Sequence, residues 1–160
     1  MNKTENRMGT IALGVIVVFA PLVGGMISAL IAGDQMKHFA EISKPALAPP
    51  SWLFPIAWSV LYVLMGVALL LLIKGKSPYK TGAIALFISQ LLMNYIWSPV
   101  FFNMHDYWMA LIVLVTMWIT TILCAIVSYF VDKRATLLLI PLILWTTFAA
   151  YLNGGVAILN

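Results

Sequence analysis

Trp58, Tyr62 and Met65 recur at i, i+4 and i+7, and Asn94, Trp97 and Phe101 at i, i+3 and i+7. Trp145, Ala149 and Leu152 give the spacing a third time, with Phe148 and Asn153 beside them. Residues at these intervals share one face of a helix. Each face therefore carries a tryptophan, and amides sit on or beside two of them. Such a set can do non-covalent chemistry: indole and phenyl rings stack on a flat apolar molecule, and amides bond its polar edge. The same stripes also serve as plain helix packing, but Asn94 in hydrocarbon needs a partner from a neighbouring helix, the backbone or a ligand. No catalytic triad, phosphate loop or zinc-ligand spacing accompanies them. His38 and His105 fall in loops, and the single cysteine, Cys124, reads as a small apolar packing residue. Neither a metal site nor an intrachain disulfide is expected, and no cofactor is implied.

The elements that must position these side chains follow from the charges. The nine basic and five acidic residues cluster at Lys3–Arg7, Asp34–Lys44, Lys74–Lys80, Asp106 and Asp132–Arg134. Between them run the apolar blocks Thr10–Ala32, Trp52–Ile73, Thr81–Phe102, Tyr107–Val131 and Ala135–Leu159. An apolar run of about 20 residues crosses the ~30 Å hydrocarbon core as a helix, and a charge at mid-span costs about 2.5–3.5 kcal/mol. The pattern predicts an all-α integral membrane bundle of five transmembrane helices, one domain over residues 1–160. The first block is longer than the roughly 7–15-residue core of a signal peptide and is expected to remain a span.

Seven basic residues (Lys3, Arg7, Lys74, Lys76, Lys80, Lys133 and Arg134) fall on one side of such a bundle, and two, Lys37 and Lys44, on the other. The positive-inside rule puts the N-terminus in the cytoplasm and the C-terminus outside. The net charge of +4 thus reads as topology, compatible with anionic lipid, rather than as affinity for nucleic acid. No Asp, Glu, Lys, Arg or His lies within a span, which argues against coupled ion transport.

The connection Gly33–Ser51 is long for so economical a chain, and Pro45, Pro49 and Pro50 stiffen it and deny it a continuous helix. It reads as a lid or recognition surface. Pro21, Pro99 and Pro141 should each kink a span. Gly25, Ala29 and Gly33 form a small-residue face, and Ala85 with Ser89 a weaker one. Either could pack inside the bundle or form a dimer seam. Trp52 and Trp108 open their helices and read first as interfacial anchors.

These residues also carry a resemblance. Lys44-Pro45-x-x-x-Pro49-Pro50 is followed by Trp58-x-x-Leu61-Tyr62-x-x-Met65-Gly66, then Asn94-Tyr95-x-Trp97-Ser98-Pro99-x-Phe101-Phe102, then Trp145-x-x-Phe148-Ala149-x-x-Leu152-Asn153. The order resembles the TspO family, which comprises bacterial tryptophan-rich sensory proteins, the mitochondrial translocator protein and the peripheral-type benzodiazepine receptor. The resemblance covers all five spans and the first loop. It implies a five-helix bundle, often a homodimer, in a bacterial cell membrane. The pocket would lie near the outer end, closed by the first loop, for protoporphyrin IX, other porphyrin- or haem-type tetrapyrroles, or similar hydrophobic molecules.

Carried onto this chain, the resemblance lines that pocket with Trp58, Asn94, Trp97, Phe101, Trp145, Ala149 and Leu152. Tyr62 shares the Trp58 face, and Trp108 falls at a family tryptophan position. A small side chain at Ala149 would leave room for ligand. Trp58 and Trp145 are the candidates for light-dependent porphyrin breakdown, which some members perform. Lys44 or Lys37 could pair with a ligand carboxylate. The chain departs from the family at His38-Phe39, where Trp-Tyr is common, and at Ala46-Leu47, where Ser-Trp is common. It also has Gly154 and Ile158 where the animal cholesterol pattern needs Tyr and Arg. The expected role is receptor-like binding in sensing, sequestration or transport. The alternatives are a porphyrin-degrading enzyme, a passive carrier of porphyrins or lipids, or a scaffold whose aromatics only pack.

Overall fold

The computed structural model describes residues 3–160, and their side chains apart from those of residues 3–9 and Met36. The side chains of Lys3 and Arg7, which enter the topology argument, therefore lie outside the described residues. Six helices follow one another: α1 (Lys3–Ile31), α2 (Gln35–Glu41), α3 (Leu53–Lys74), α4 (Lys80–Phe102), α5 (Tyr107–Tyr129) and α6 (Lys133–Leu159). All but α2 are long and apolar enough to cross a membrane. The chain is an all-α, multi-pass membrane bundle, as its charge pattern predicts.

The spans pack as a closed ring in the order α1, α3, α6, α5, α4 and back to α1. One end of the ring, the lid end, carries residues 33–51 and the α4–α5 turn. The other, the basic end, carries residues 75–79 and 130–132. Asp34, Asp106 and Asp132 are N-caps: their carboxylates accept from the backbone N–H of Lys37 (3.1 Å), Met109 (2.9 Å) and Arg134 (2.9 Å). A charge that hydrocarbon would exclude here satisfies an orphan donor at a helix start. Gly33, at φ +77°, turns the chain out of α1 in a conformation that favours glycine.

The helices run on through Pro21, Pro99 and Pro141. Proline at 99 cannot donate to the Tyr95 carbonyl one turn back. Ser28 on α1 takes its place, its hydroxyl donating to Tyr95 O at 2.6 Å. The Tyr95 hydroxyl in turn donates to Pro21 O at 2.9 Å. These bonds join α1 to α4 where the proline opens the ladder.

The small-residue faces divide. Gly25 lies against the Tyr62 ring, Gly24 against Tyr95, and Gly66 of α3 against the backbone of Val18. The Gly25–Ala29 face therefore packs inside the bundle, and Gly33 lies beyond the helix. Ala85 and Ser89 are exposed on the outer surface of α4.

Residues 33–51 are more structured than a plain loop. His38, expected in a loop, lies in α2, because the stiffening prolines all come after that helix. The rest of the lid is fastened to α6. Ser43 and Asn160 exchange two bonds of 3.0 Å, N–H to Oδ1 and Nδ2 to C=O. The Tyr151 hydroxyl donates to Ala46 O at 2.7 Å, and the Pro45 ring sits on Gly155. Pro49 and Pro50 lead into α3, whose first turn begins with Leu53 N donating to Pro50 O at 3.0 Å.

Candidate functional site

The aromatic faces meet at the lid end, in two compartments. The larger, of about 200 Å³, lies between α1, α3 and α4. Gly25, Met26 and Ala29 form one wall, Phe54, Trp58 and Tyr62 the second, and Trp97, Ser98 and Phe102 the third, with Gln35 toward the lid. The smaller, about 20 Å³, is bounded by Phe39 of the lid, Phe101, Ala149, Leu152, Asn153 and Val156. Phe54, Trp97 and Phe102 line both. Three aromatic rings are thus the partition between the two spaces.

Of the expected pocket residues, Trp58, Tyr62 and Trp97 come together in the larger compartment, and Trp97, Phe101, Ala149 and Leu152 in the smaller. Asn94 lies below both, nearly fully buried, with its Oδ1 accepting from the Tyr62 hydroxyl at 2.5 Å. Its Nδ2 has no partner among the described residues. The neighbouring-helix partner that the amide requires is thus Tyr62, and both N–H donors of its Nδ2 are left over.

Trp145 lines neither compartment. Its ring meets Trp58 edge-on at 6.4 Å and Phe54 at 6.0 Å. Its Nε1 is buried without a partner among the described residues, and its outer face borders a shallow groove between α3 and α6.

Trp108, expected with the pocket residues, is exposed and lines none of these spaces. Ala110 and Leu114 occupy the inward face of α5, and two residues' separation turns a helix by about 200°. Trp108 keeps the position of an interfacial anchor. Lys44 is likewise committed elsewhere: its ammonium donates to the carbonyls of Phe39 (2.7 Å), Ala40 (3.0 Å) and Ile42 (3.2 Å). An ammonium has three donors, so Lys44 caps α2 with all of them and keeps none for a ligand carboxylate. Lys37 is exposed on α2.

Two residues are more central than their sequence positions suggest. Asn153, read only as a neighbour of the α6 stripe, accepts from Trp97 Nε1 at 3.0 Å and donates to Tyr107 O at 2.8 Å. It sets the plane of the partition indole. Gln90, which the aromatic spacing does not pick out, is fully buried one turn before Asn94, and neither polar atom of its side chain has a partner among the described residues. Its four-residue spacing from Asn94 inside an apolar span was the available signal.

The lid meets the α4–α5 turn through histidine. His38 stacks on His105, with centroids 4.4 Å apart and planes 12° from parallel, and His38 Nε2 lies 3.1 Å from the Tyr107 hydroxyl. His105 presents its ring from the left-handed region, at φ 55°, which histidine tolerates better than most residues. Phe39 is buried beside it, 4.8 Å from the Phe54 ring, so the lid retains an aromatic contact with the partition.

His38 titrates below its ordinary value of 6.5, because burial disfavours its charged form and His105 repels it, with Glu41 opposing. The open lid therefore takes up the proton more readily than the closed one. The hold of this contact is complete above that ordinary value and is lost as pH falls through the lowered one. Protection factors of the Gln35–Glu41 amides should drop between about pH 7.5 and about pH 5.5. The drop should vanish in His38→Phe. Equal protection of the native lid at both pH values would remove this role for the histidines.

Comparison with known proteins gives a consistent set of relatives. The sequence signature of the TspO/MBR family matches residues 17–159. The chain is 36% identical over 126 residues to the tryptophan-rich protein TspO of Chlorobaculum tepidum, covering 77% of this chain and 79% of that protein. Similarity to protein CrtK of Rhodobacter capsulatus is 32% over 124 residues, covering 76% and 78% of the two chains. The translocator protein of Sus scrofa is 32% identical over 137 residues, covering 83% and 81%.

Proposed function

The chain belongs to the TspO/MBR family, and on that premise we propose that it binds tetrapyrroles of the protoporphyrin IX type, or similar flat hydrophobic molecules, as a membrane receptor. The coarser role, sensory or transport-related and exercised in a membrane, goes with the family. The observation that carries the finer reading is the shared aromatic partition. With Trp97 held by Asn153, rotation of Phe54 and Phe102 would join the two compartments into one slot between indole and phenyl faces. A flat ring system fits such a slot, and the buried Asn94 Nδ2 beneath it is a donor that opening of the partition would have to expose. The orientation we propose is N-terminus cytoplasmic in a bacterial cell membrane, with Ala85 and Ser89 as the outward small-residue seam of a homodimer.

The test is a titration of the purified protein with protoporphyrin IX in the dark, following tryptophan fluorescence. Saturable quenching at one porphyrin per chain is the expected result. Quenching that rises linearly without saturation would mean partition into detergent and would sink the reading. A second reading, oxidative breakdown of the bound porphyrin by dioxygen in light, is favoured by the edge-on Trp58–Trp145 pair. It predicts new absorbance bands on illumination of the native protein and none in Trp145→Phe. Passive carriage would appear instead as porphyrin uptake into proteoliposomes.

A further inference from the structure

A further apolar space lies at the opposite end of the bundle. It is an outward-facing groove of about 410 Å³ between α5 and α6. Ile122, Ile126 and Tyr129 line one side, and Thr136, Ile140 and Ile143 the other. The hydroxyl proton of Thr136 is spent on Ala125 O at 3.0 Å, so the threonine offers the groove no free donor. Lys133, Thr136, Ile140 and Ile143 follow one helical face. The α6 wall of the groove, Thr136 to Ile143, climbs about 10 Å at 1.5 Å per residue, and with Lys133 before it the stretch from cation to groove end is about 15 Å, half of the ~30 Å hydrocarbon core.

The mouth of the groove is built for a headgroup. Lys133 Nζ lies 5.0 Å from the centre of the Tyr129 ring, which lines the groove. Tyr79, Phe130 and Tyr129 form an exposed aromatic row there, with centroids 5.3 and 5.7 Å apart. Aromatic rings of this kind favour headgroup depth. The charge at this end is one-sided. Among the described side chains at this end, Lys74, Lys76, Lys80, Lys133 and Arg134 stand against one carboxylate, Asp132, and Arg134 occupies it at 2.8 Å. Lys80 donates to Ile73 O. Lys133 is thus the cation at the groove mouth, and among the described residues it has no carboxylate partner.

We propose that this groove is a binding site for one anionic phospholipid, with an acyl chain along Ile126 and Ile140 and the phosphate on Lys133. Length and charge choose this occupant. Lys133 and the groove together span about one leaflet, and the cation stands where a phosphodiester would. A basic pocket between spanning helices is the usual setting for such a headgroup. The site lies at the far end of the bundle from the aromatic compartments and is independent of their ligand.

The experiment is native mass spectrometry of the full chain released from micelles, with phosphatidylglycerol or phosphatidylcholine of identical acyl chains. One phosphatidylglycerol should stay bound in preference to phosphatidylcholine. Lys133→Ala should reduce that preference about fivefold, the worth of one lysine at a lipid surface. Ile126→Trp, on an exposed position that tolerates size, should reduce retention of both lipids by filling the groove. Lys76→Ala should leave the preference unchanged, and glycerol phosphate should not displace the lipid. Equal losses in Lys76→Ala and Lys133→Ala would mean diffuse attraction to the basic end and would overturn the site. So would undiminished retention by Ile126→Trp, or displacement by glycerol phosphate.

Discussion

Ala149→Phe should abolish saturable porphyrin quenching while leaving the protein folded. Ala149 is 8% exposed and borders the smaller compartment, which holds about 20 Å³ of free space. A phenyl ring cannot enter it without displacing Trp97 or Leu152. Trp97 is held by its bond to Asn153, so the added ring takes the ligand's place rather than the indole's. Overpacking of this kind costs about 1–3 kcal/mol of stability, which is tolerable, whereas loss of the slot removes the stacking contacts together. Leu137→Phe, on the outer surface of α6, should bind as the native protein does. If Ala149→Phe still saturates with unchanged affinity, the ligand does not use the smaller compartment, and the joined-slot reading fails with it.

Gly66→Ala should be among the most damaging single-methyl changes in the chain. A Cβ at Gly66 would fall on the Val18 carbonyl group of α1, and backbone cannot swing aside as a side chain can. Helices that approach this closely depend on small residues at the contact. The added carbon must push α1 away from α3, and α1 is the span with the smallest buried share. Its seat between α3 and α4 supplies one wall of the larger compartment, so ligand binding should weaken as α1 loosens. The expected signature is a lower unfolding temperature, with hydrogen exchange accelerated in α1 far more than in α5. Gly82→Ala is the control, because nothing lies within 4 Å of its added Cβ. It should be neutral or stabilising by up to about 1 kcal/mol from helix propensity. An unchanged melting temperature for Gly66→Ala would disprove the close approach.

The membrane architecture was legible in the chain because hydrocarbon is an unforgiving solvent. Every charge had to lie at a span end, and the length between charges had to match the bilayer. The three aromatic faces were legible as well, since helical periodicity alone places Trp58 with Tyr62, and Trp97 with Phe101. Their division into two spaces was not. It depends on the rotation of each helix about its axis, which the opposing side chains decide. A shift of two residues puts Ala110 inside and Trp108 outside on the same helix.

The polar details behave in the same way. That Asn94 needs a partner follows from composition, but that the partner is Tyr62, with Gln90 buried one turn away, depends on which helices are neighbours. A proline at 99 announces a freed carbonyl, yet nothing local says that Ser28, far away in the chain, will bond it. Lysine 44 beside a proline-rich lid suggested a ligand contact, and the winding of α2 turned its ammonium onto that helix's own last carbonyls.

The sequence by itself determined the solvent, the number of spans, the faces that hold the aromatics and the family to which they belong. These depend on transfer free energy and helical period, both local properties. Only the tertiary structure decided the aromatic partition, the histidine stack that fastens the lid and the groove with Lys133 at its mouth. Each arises where side chains distant in sequence meet, and their mutual distances are fixed by packing rather than by spacing along the chain.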